Sequence, residues 1–126
     1  EMNKLTLDSS FICSLVNKSD VNHERAFEQY QKYFKNVQVF IPQIVLLELA
    51  ILKRKKHQDL HQAILMFLEI LEYDVFTISP KHIQEFENFI EETDYNLKPN
   101  DYFILFASKV SNSKLLTFDE KLESFF

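Results

Sequence analysis

The sequence predicts an α/β fold with three layers, α/β/α, around a central, mostly parallel sheet of four or five strands. Two observations lead there. Short β-branched and aromatic runs alternate with longer segments of helical apolar spacing, the order expected of crossover units. Each pair of strand runs is separated by enough helix for parallel pairing, which a hairpin turn cannot provide. The 126 residues are read as one domain over 1–126. Chains of that length bury roughly two-thirds of their unfolded surface without needing disulfides or a structural metal.

The first strand is expected at Lys4–Asp8, KLTLD, followed by a short helix over Ser9–Val16. Ser9 or Ser10 is placed as its N-cap, because a hydroxyl oxygen accepts from the orphan N–H groups of a first turn. Asn17–Asn22 is polar and leads into a helix over His23–Phe34, where Ala26, Phe27, Tyr30, Tyr33 and Phe34 form one apolar stripe. That spacing is what an amphipathic helix buries. Val37–Ile41, VQVFI, reads as the second strand, with Pro42 ending it by withholding a ladder donor.

Helices follow over Ile44–Lys55 and Leu60–Leu71, the second with Leu60, Ile64, Phe67, Leu68 and Leu71 in register. Asp74–Ile78, DVFTI, is the third strand, closed by Ser79-Pro80. Lys81–Thr93 is expected as a helix with Ile83, Phe86 and Ile90 facing in. Beyond the Lys98-Pro99-Asn100 turn, Asp101–Val110 is helical, Lys114–Thr117 is the fourth strand and Glu120–Phe126 a closing helical turn or two.

Composition removes whole classes of function. The chain has no glycine, so the P-loop and the dinucleotide fingerprint, both built on Gly, are excluded. Net charge is −5, divided as +2 over residues 1–63 and −7 over residues 64–126. Generic nucleic-acid binding runs on phosphate neutralisation, so handling nucleic acid here requires metal ions or a local basic patch. The single cysteine, Cys13, excludes an internal disulfide or a Cys-based zinc cluster and suits a cytoplasmic location. The start, EMNKLTLDSS, lacks a signal-peptide core, and no apolar run approaches the ~18–20 residues of a membrane span.

In an open parallel sheet, ligands sit outside the carboxyl ends of the strands. Asp8 closes the first strand and Asp119 lies two residues beyond Thr117, so both reach one edge if these strands are neighbours. Glu48 stands in IVLLELAIL, sharing a helical face with Ile44, Ile51 and Leu52. A carboxylate there needs a partner or a cation; a salt bridge or solvent exposure is the blander account. Asp101 begins a helix, where an acid also serves simply as a cap, and Asp8 and Asp119 have capping readings as well. Together, clustered carboxylates repel one another, and a hard divalent cation such as Mg²⁺ or Mn²⁺ relieves that cost. A site of acids without His or Cys argues against zinc.

Four segments, LDSSFICSLV, VFIPQIVLLELA, LKPNDYFILFASKV and LLTFDEKL, resemble the motifs of the PIN domain family, most of all its VapC-type toxin ribonucleases. The resemblance spans the whole chain and gives Asp8, Glu48, Asp101 and Asp119 as the family acids, with Thr117 and Ser9 in support. It implies metal-dependent endoribonuclease activity at Mg²⁺ or Mn²⁺, a cognate antitoxin and a homodimer. Two departures stand out. Tyr102-Phe103 follows the third acid where relatives carry small residues, and the chain has no glycine. The basic run Lys53-Arg54-Lys55-Lys56 is a candidate grip on RNA backbone, or equally a solvated helix C-terminus. His23, His61 and His82 lack ligand spacing and read as surface residues, and Cys13 as a small buried side chain.

Rival chemistries on the same architecture fail on particular residues. A phosphoaspartate receiver needs paired acids after its first strand, where Ser9 and Ser10 stand. A haloacid-dehalogenase-type phosphatase needs an acid at Ser10, and a metal-dependent adhesion site needs a hydroxyl at Ile12. The alternative of a different class is a catalytically silent PIN-like module that binds protein or RNA. The 18 aromatic residues could line a groove for a partner helix in that case.

Overall fold

The computed structural model describes residues 3–52, 58–93 and 96–125. In chain order the elements are β1 (Asn3–Leu7), α1 (Ser9–Val16), α2 (His23–Tyr33), β2 (Val37–Pro42), α3 (Gln43–Ile51) and α4 (Gln58–Ile70). They continue with β3 (Asp74–Phe76), a 3₁₀ turn (Pro80–His82), α5 (Ile83–Thr93), α6 (Pro99–Ser111), β4 (Lys114–Leu116) and α7 (Glu120–Glu123).

The four strands are all parallel, in the order β3-β2-β1-β4. In β1 the consecutive residues Leu5, Thr6 and Leu7 are all buried, the pattern of an inner strand covered on both faces. Helices flank the sheet, and α6 lies deepest, with Ile104 through Ser108 buried without interruption. Leu5, Leu7, Phe11, Ile12, Ile41, Val45 and Leu122 fill the core. Around Phe106, the rings of Phe86 and Phe89 stand 5.0 and 5.7 Å away between centroids, within the range of favourable ring pairs.

Sheet order decides where a site can form. The chain leaves β1 for β2 and then β3 on one side, and returns to place β4 on the other side of β1. The order of strands therefore reverses between β1 and β4, and a crevice opens at the carboxyl ends where it does so.

Several expectations are corrected. Asp8 is not part of β1; it caps α1 in an extended conformation (φ −89°, ψ 159°), because its carboxylate accepts the Ser9 N–H and turns the chain. β3 and β4 end at Phe76 and Leu116, short of Ile78 and Thr117. α3 starts at Gln43, one residue before the expected Ile44, and ends at Ile51; Lys53–Lys56, with the rest of the expected helix, lie outside the described residues. The closing helix ends at Glu123, and Phe126 also lies outside.

Phe27 and Ile83 were expected to face inward but are 48% and 46% exposed. In α5 the buried residue is Phe89. The Pro80–His82 turn is 3₁₀, so α5 begins at Ile83 rather than Lys81 and Ile83 stands in its exposed first turn, while Phe86 packs against the core as expected. With no glycine in the chain, the two left-handed corners among the described residues are held by asparagine, Asn36 (φ 53°) and Asn112 (φ 52°). Asn tolerates that region better than other residues with a Cβ. Asn112 ends α6, and the Ser113 N–H reaches back to the Ser108 carbonyl at 3.0 Å, the longer link of a Schellman-type cap.

Candidate active site

Asp8 sits at the mouth of the β1/β4 crevice and is only 5% exposed. Its Oδ1 accepts the Ser9 N–H at 2.8 Å, and its Oδ2 accepts the Thr117 hydroxyl at 2.6 Å and the Ser10 hydroxyl at 3.2 Å. Those two hydroxyls are themselves anchored. The Asp119 N–H donates to Thr117 Oγ1 at 3.0 Å, and the Phe118 N–H donates to Ser10 Oγ at 2.9 Å. Two backbone donors of the turn after β4 thus reach Asp8 through one hydroxyl each. β1–β4 adjacency makes this possible, since it brings residues 109 apart in sequence together.

Ser9 serves two acids. Its N–H holds Asp8, and its hydroxyl donates to Glu48 Oε1 at 3.3 Å. Glu48 is half-buried on α3, where Val45 and Leu49 supply the buried face, and the side chain of Asn100 also donates to it. Asp101 lies in the first turn of α6, behind the Lys98 N-cap and Pro99. Asp119 caps α7, its Oδ1 accepting from the N–H groups of Lys121 (2.9 Å) and Leu122 (3.4 Å). Among the described residues no donor is bonded to its Oδ2. The capping accounts of Asp8 and Asp119 hold, and each acid also faces the crevice.

The four acids form one electrostatic set. Burial pushes the Asp8 carboxyl above its ordinary value; hydrogen bonds from Thr117, Ser9 and Ser10 oppose this, and the charge of Asp119 adds to it. Glu48 is raised first by burial and then by Asp8 and Asp101, against the hydrogen bonds of Ser9 and Asn100. Asp101 is raised by burial, then by Asp119 and Asp8, while Lys98 and Lys121 pull it down. Gathering like charges out of water has this effect, and such groupings concentrate at functional sites.

The donor chemistry suits a hard divalent cation. Only carboxylate and hydroxyl oxygens line the crevice, the ligand type that magnesium and manganese prefer. The nearby thiol of Cys13, half-buried rather than buried, is pushed up to about 11 by burial and by the charges of Asp20, Asp8 and Glu48. It stays protonated near neutrality. Among the described residues no three of the acids are already closed into a ligand set; they are neighbours by field rather than by contact.

Other expectations land as follows. Asp8, Glu48, Asp101, Asp119, Ser9 and Thr117 are brought together, while Lys53, Arg54, Lys55 and Lys56 lie outside the described residues. His23 and His82 are half-buried rather than on the surface, bonded through Nδ1 to the Ser14 carbonyl and the Ser79 hydroxyl. Ser10, expected only as an N-cap of α1, where Asp8 stands instead, and Asn100, which has no expected role, both join the site. A cavity of about 550 Å³ opens at the far end of α6 beside Ser108, Asn112 and Ser113, and none of the four acids lines it.

Comparison with known proteins agrees with this architecture. The Sarcin-Ricin loop cleaving toxin VapC20 of Mycobacterium tuberculosis superposes with a TM-score of 0.73 at 17% identity, covering 95% of this chain and 93% of that one. VapBC2 from Rickettsia felis, bound to a DNA fragment from its promoter, gives 0.68 at 24% identity, covering 96% and 92%. At these identities the likeness is one of fold. No curated protein sequence matches the chain. The PIN domain family model matches residues 5–125, nearly the whole length, and the chain belongs to that family.

Proposed function

We propose that this chain is a divalent-metal-dependent endoribonuclease that hydrolyses RNA phosphodiester bonds, acting as the toxin of a type II toxin–antitoxin pair. The observation that carries the reading is the meeting of Asp8, Glu48, Asp101 and Asp119 at the β1/β4 crevice, three of them with raised carboxyls. Asp8 and Asp101 would hold Mg²⁺ or Mn²⁺, with Glu48 as a further ligand or water-orienting base and Asp119 as an outer or second-metal acid. A cation bound there supplies Lewis acidity to the scissile phosphate and to an attacking water.

The chain's own groups do the rest. Thr117 and Ser10 fix Asp8 Oδ2, and Ser9 fixes Glu48 Oε1, so the carboxylates are oriented before substrate arrives. Glu48, its carboxyl raised, is suited to accept a proton from water near neutrality. The two structural neighbours, one a Sarcin-Ricin loop cleaving toxin and the other a VapBC complex, support the toxin role and an antitoxin partner. Leu47 and Ile51 on α3 and Met66 and Ile70 on α4 are exposed, apolar surface of the kind an antitoxin or a second copy covers. A cytoplasmic site of action goes with this reading; among the described residues no helix is long and apolar enough to cross a membrane.

Cleavage of a structured RNA panel in Mn²⁺ tests it. Asp8→Asn and Asp101→Asn are expected to lose nearly all cutting while keeping the fold by circular dichroism. Wild-type cutting by either variant, or a wild-type chain inert in every divalent cation tried, refutes the proposal.

A further inference from the structure

We infer that Lys98 and Lys121 grip the RNA backbone beside Asp101, holding phosphates next to the one being cut. The inference rests on the nuclease reading above. Lys98 is the N-cap of α6, and its carbonyl accepts the N–H groups of Asp101 (3.0 Å) and Tyr102 (3.1 Å), which fixes its backbone one turn from that acid. Lys121 lies in the first turn of α7, and its N–H donates to Asp119 Oδ1 at 2.9 Å. The N-termini of two helices, each holding a site acid in its first turn or at its cap, therefore carry one exposed lysine apiece.

Both lysines are exposed, and the charge of each acts on Asp101. Neither is committed elsewhere. Among the described residues the one ion pair joins Arg25 to Glu123 at 3.8 Å. A chain of net charge −5 repels a polyanion, so an RNA strand needs local cations to lie along the acid-lined crevice. Lysine serves that purpose as a mobile point charge that does not demand one phosphate orientation. The basic run Lys53–Lys56 is denser but lies outside the described residues; among those described, Lys98 and Lys121 act on Asp101.

The bland account is that both lysines only relieve repulsion among the carboxylates. The two accounts separate in their dependence on salt. The experiment uses the full chain with Asp8→Asn to block cutting, a fluorescent single-stranded RNA, and anisotropy titrations in Mn²⁺ across a range of NaCl. Lys98→Gln and Lys121→Gln are each expected to flatten the plot of log K against log[salt] by about 0.7, the loss of one phosphate contact on a single strand. Lys98→Arg and Lys121→Arg should restore the slope. In chains with Asp8 intact, the Gln variants should raise KM several-fold more than they lower kcat.

An unchanged slope in both Gln variants overturns the inference, even if the melting temperature moves. So does a flattened slope found only when Lys53–Lys56 are replaced. A wild-type chain that cuts RNA while the lysine variants behave as wild type overturns this inference alone. One that neither binds nor cuts RNA overturns the nuclease reading with it.

Discussion

Replacing Thr117 with valine tests the hydroxyl relay directly. Thr117 is 6% exposed and Asp8 5%, so solvent cannot take over their 2.6 Å hydrogen bond. Valine keeps the branched shape, removes a donor to a buried carboxylate, and strands the Asp119 N–H that now ends on Thr117 Oγ1 at 3.0 Å. A hydrogen bond to a charged group contributes about 1.5–3 kcal/mol and a neutral one about 0.5–1.5, for an expected loss of about 2–4 kcal/mol. Urea unfolding at neutral pH in the presence of EDTA reads that loss as a lower midpoint at unchanged slope. A double-mutant cycle with Asp8→Asn should return a coupling of at least about 1 kcal/mol, since the two groups share one bond. A cost below about 0.5 kcal/mol, the range of ordinary surface substitutions, would show that the relay stabilises nothing.

Three further outcomes follow from the same structure. Asp8, Glu48 and Asp101 are raised above the ordinary values of 3.8, 4.5 and 3.8, so the folded state holds more protons than the unfolded one. Their contribution is therefore favourable at mildly acid pH and is lost as pH climbs past those ordinary values and through the raised ones. Without divalent ions the urea midpoint should be higher near pH 5 than near pH 8, and an unchanged or rising midpoint would contradict the shifts. Cys13, with its thiol near 11, should alkylate far more slowly with iodoacetamide at pH 8 than a model thiol, since the thiolate is the nucleophile. Phe106→Ala, which empties the centre of the Phe86–Phe89 cluster, is expected to cost about 3–5 kcal/mol by urea unfolding.

The element order and the parallel sheet were legible because their causes are local. β-branched runs such as VQVFI and helical stripes such as that of Leu60–Leu71 declare themselves within a dozen residues. Asp8, Asp101 and Asp119 could be found because each follows a strand or opens a helix, positions that topology sends to one edge. Helix ends were less legible. Ile83 shares a face with Phe86, which packs against the core, but the 3₁₀ turn over Pro80–His82 makes Ile83 the first residue of α5, where it stays exposed. Ser10 and Asn100 were hidden for a different reason. Their partners lie on other elements, at separations such as the 107 residues from Ser10 to Thr117, and a short polar residue carries no periodic signal of such a contact.

The paired Ser10 and Thr117 links have a mechanical consequence. The turn after β4 and the carboxylate after β1 are bolted to one another at two points, so neither can be displaced without tearing hydrogen bonds at the other. Anything that levers α7 away from the sheet, a bound protein included, distorts the first acid without touching it. The short helix at residues 120–123 is thereby a handle on the acid-lined edge, and a binder that seizes it distorts the crevice while leaving its mouth open.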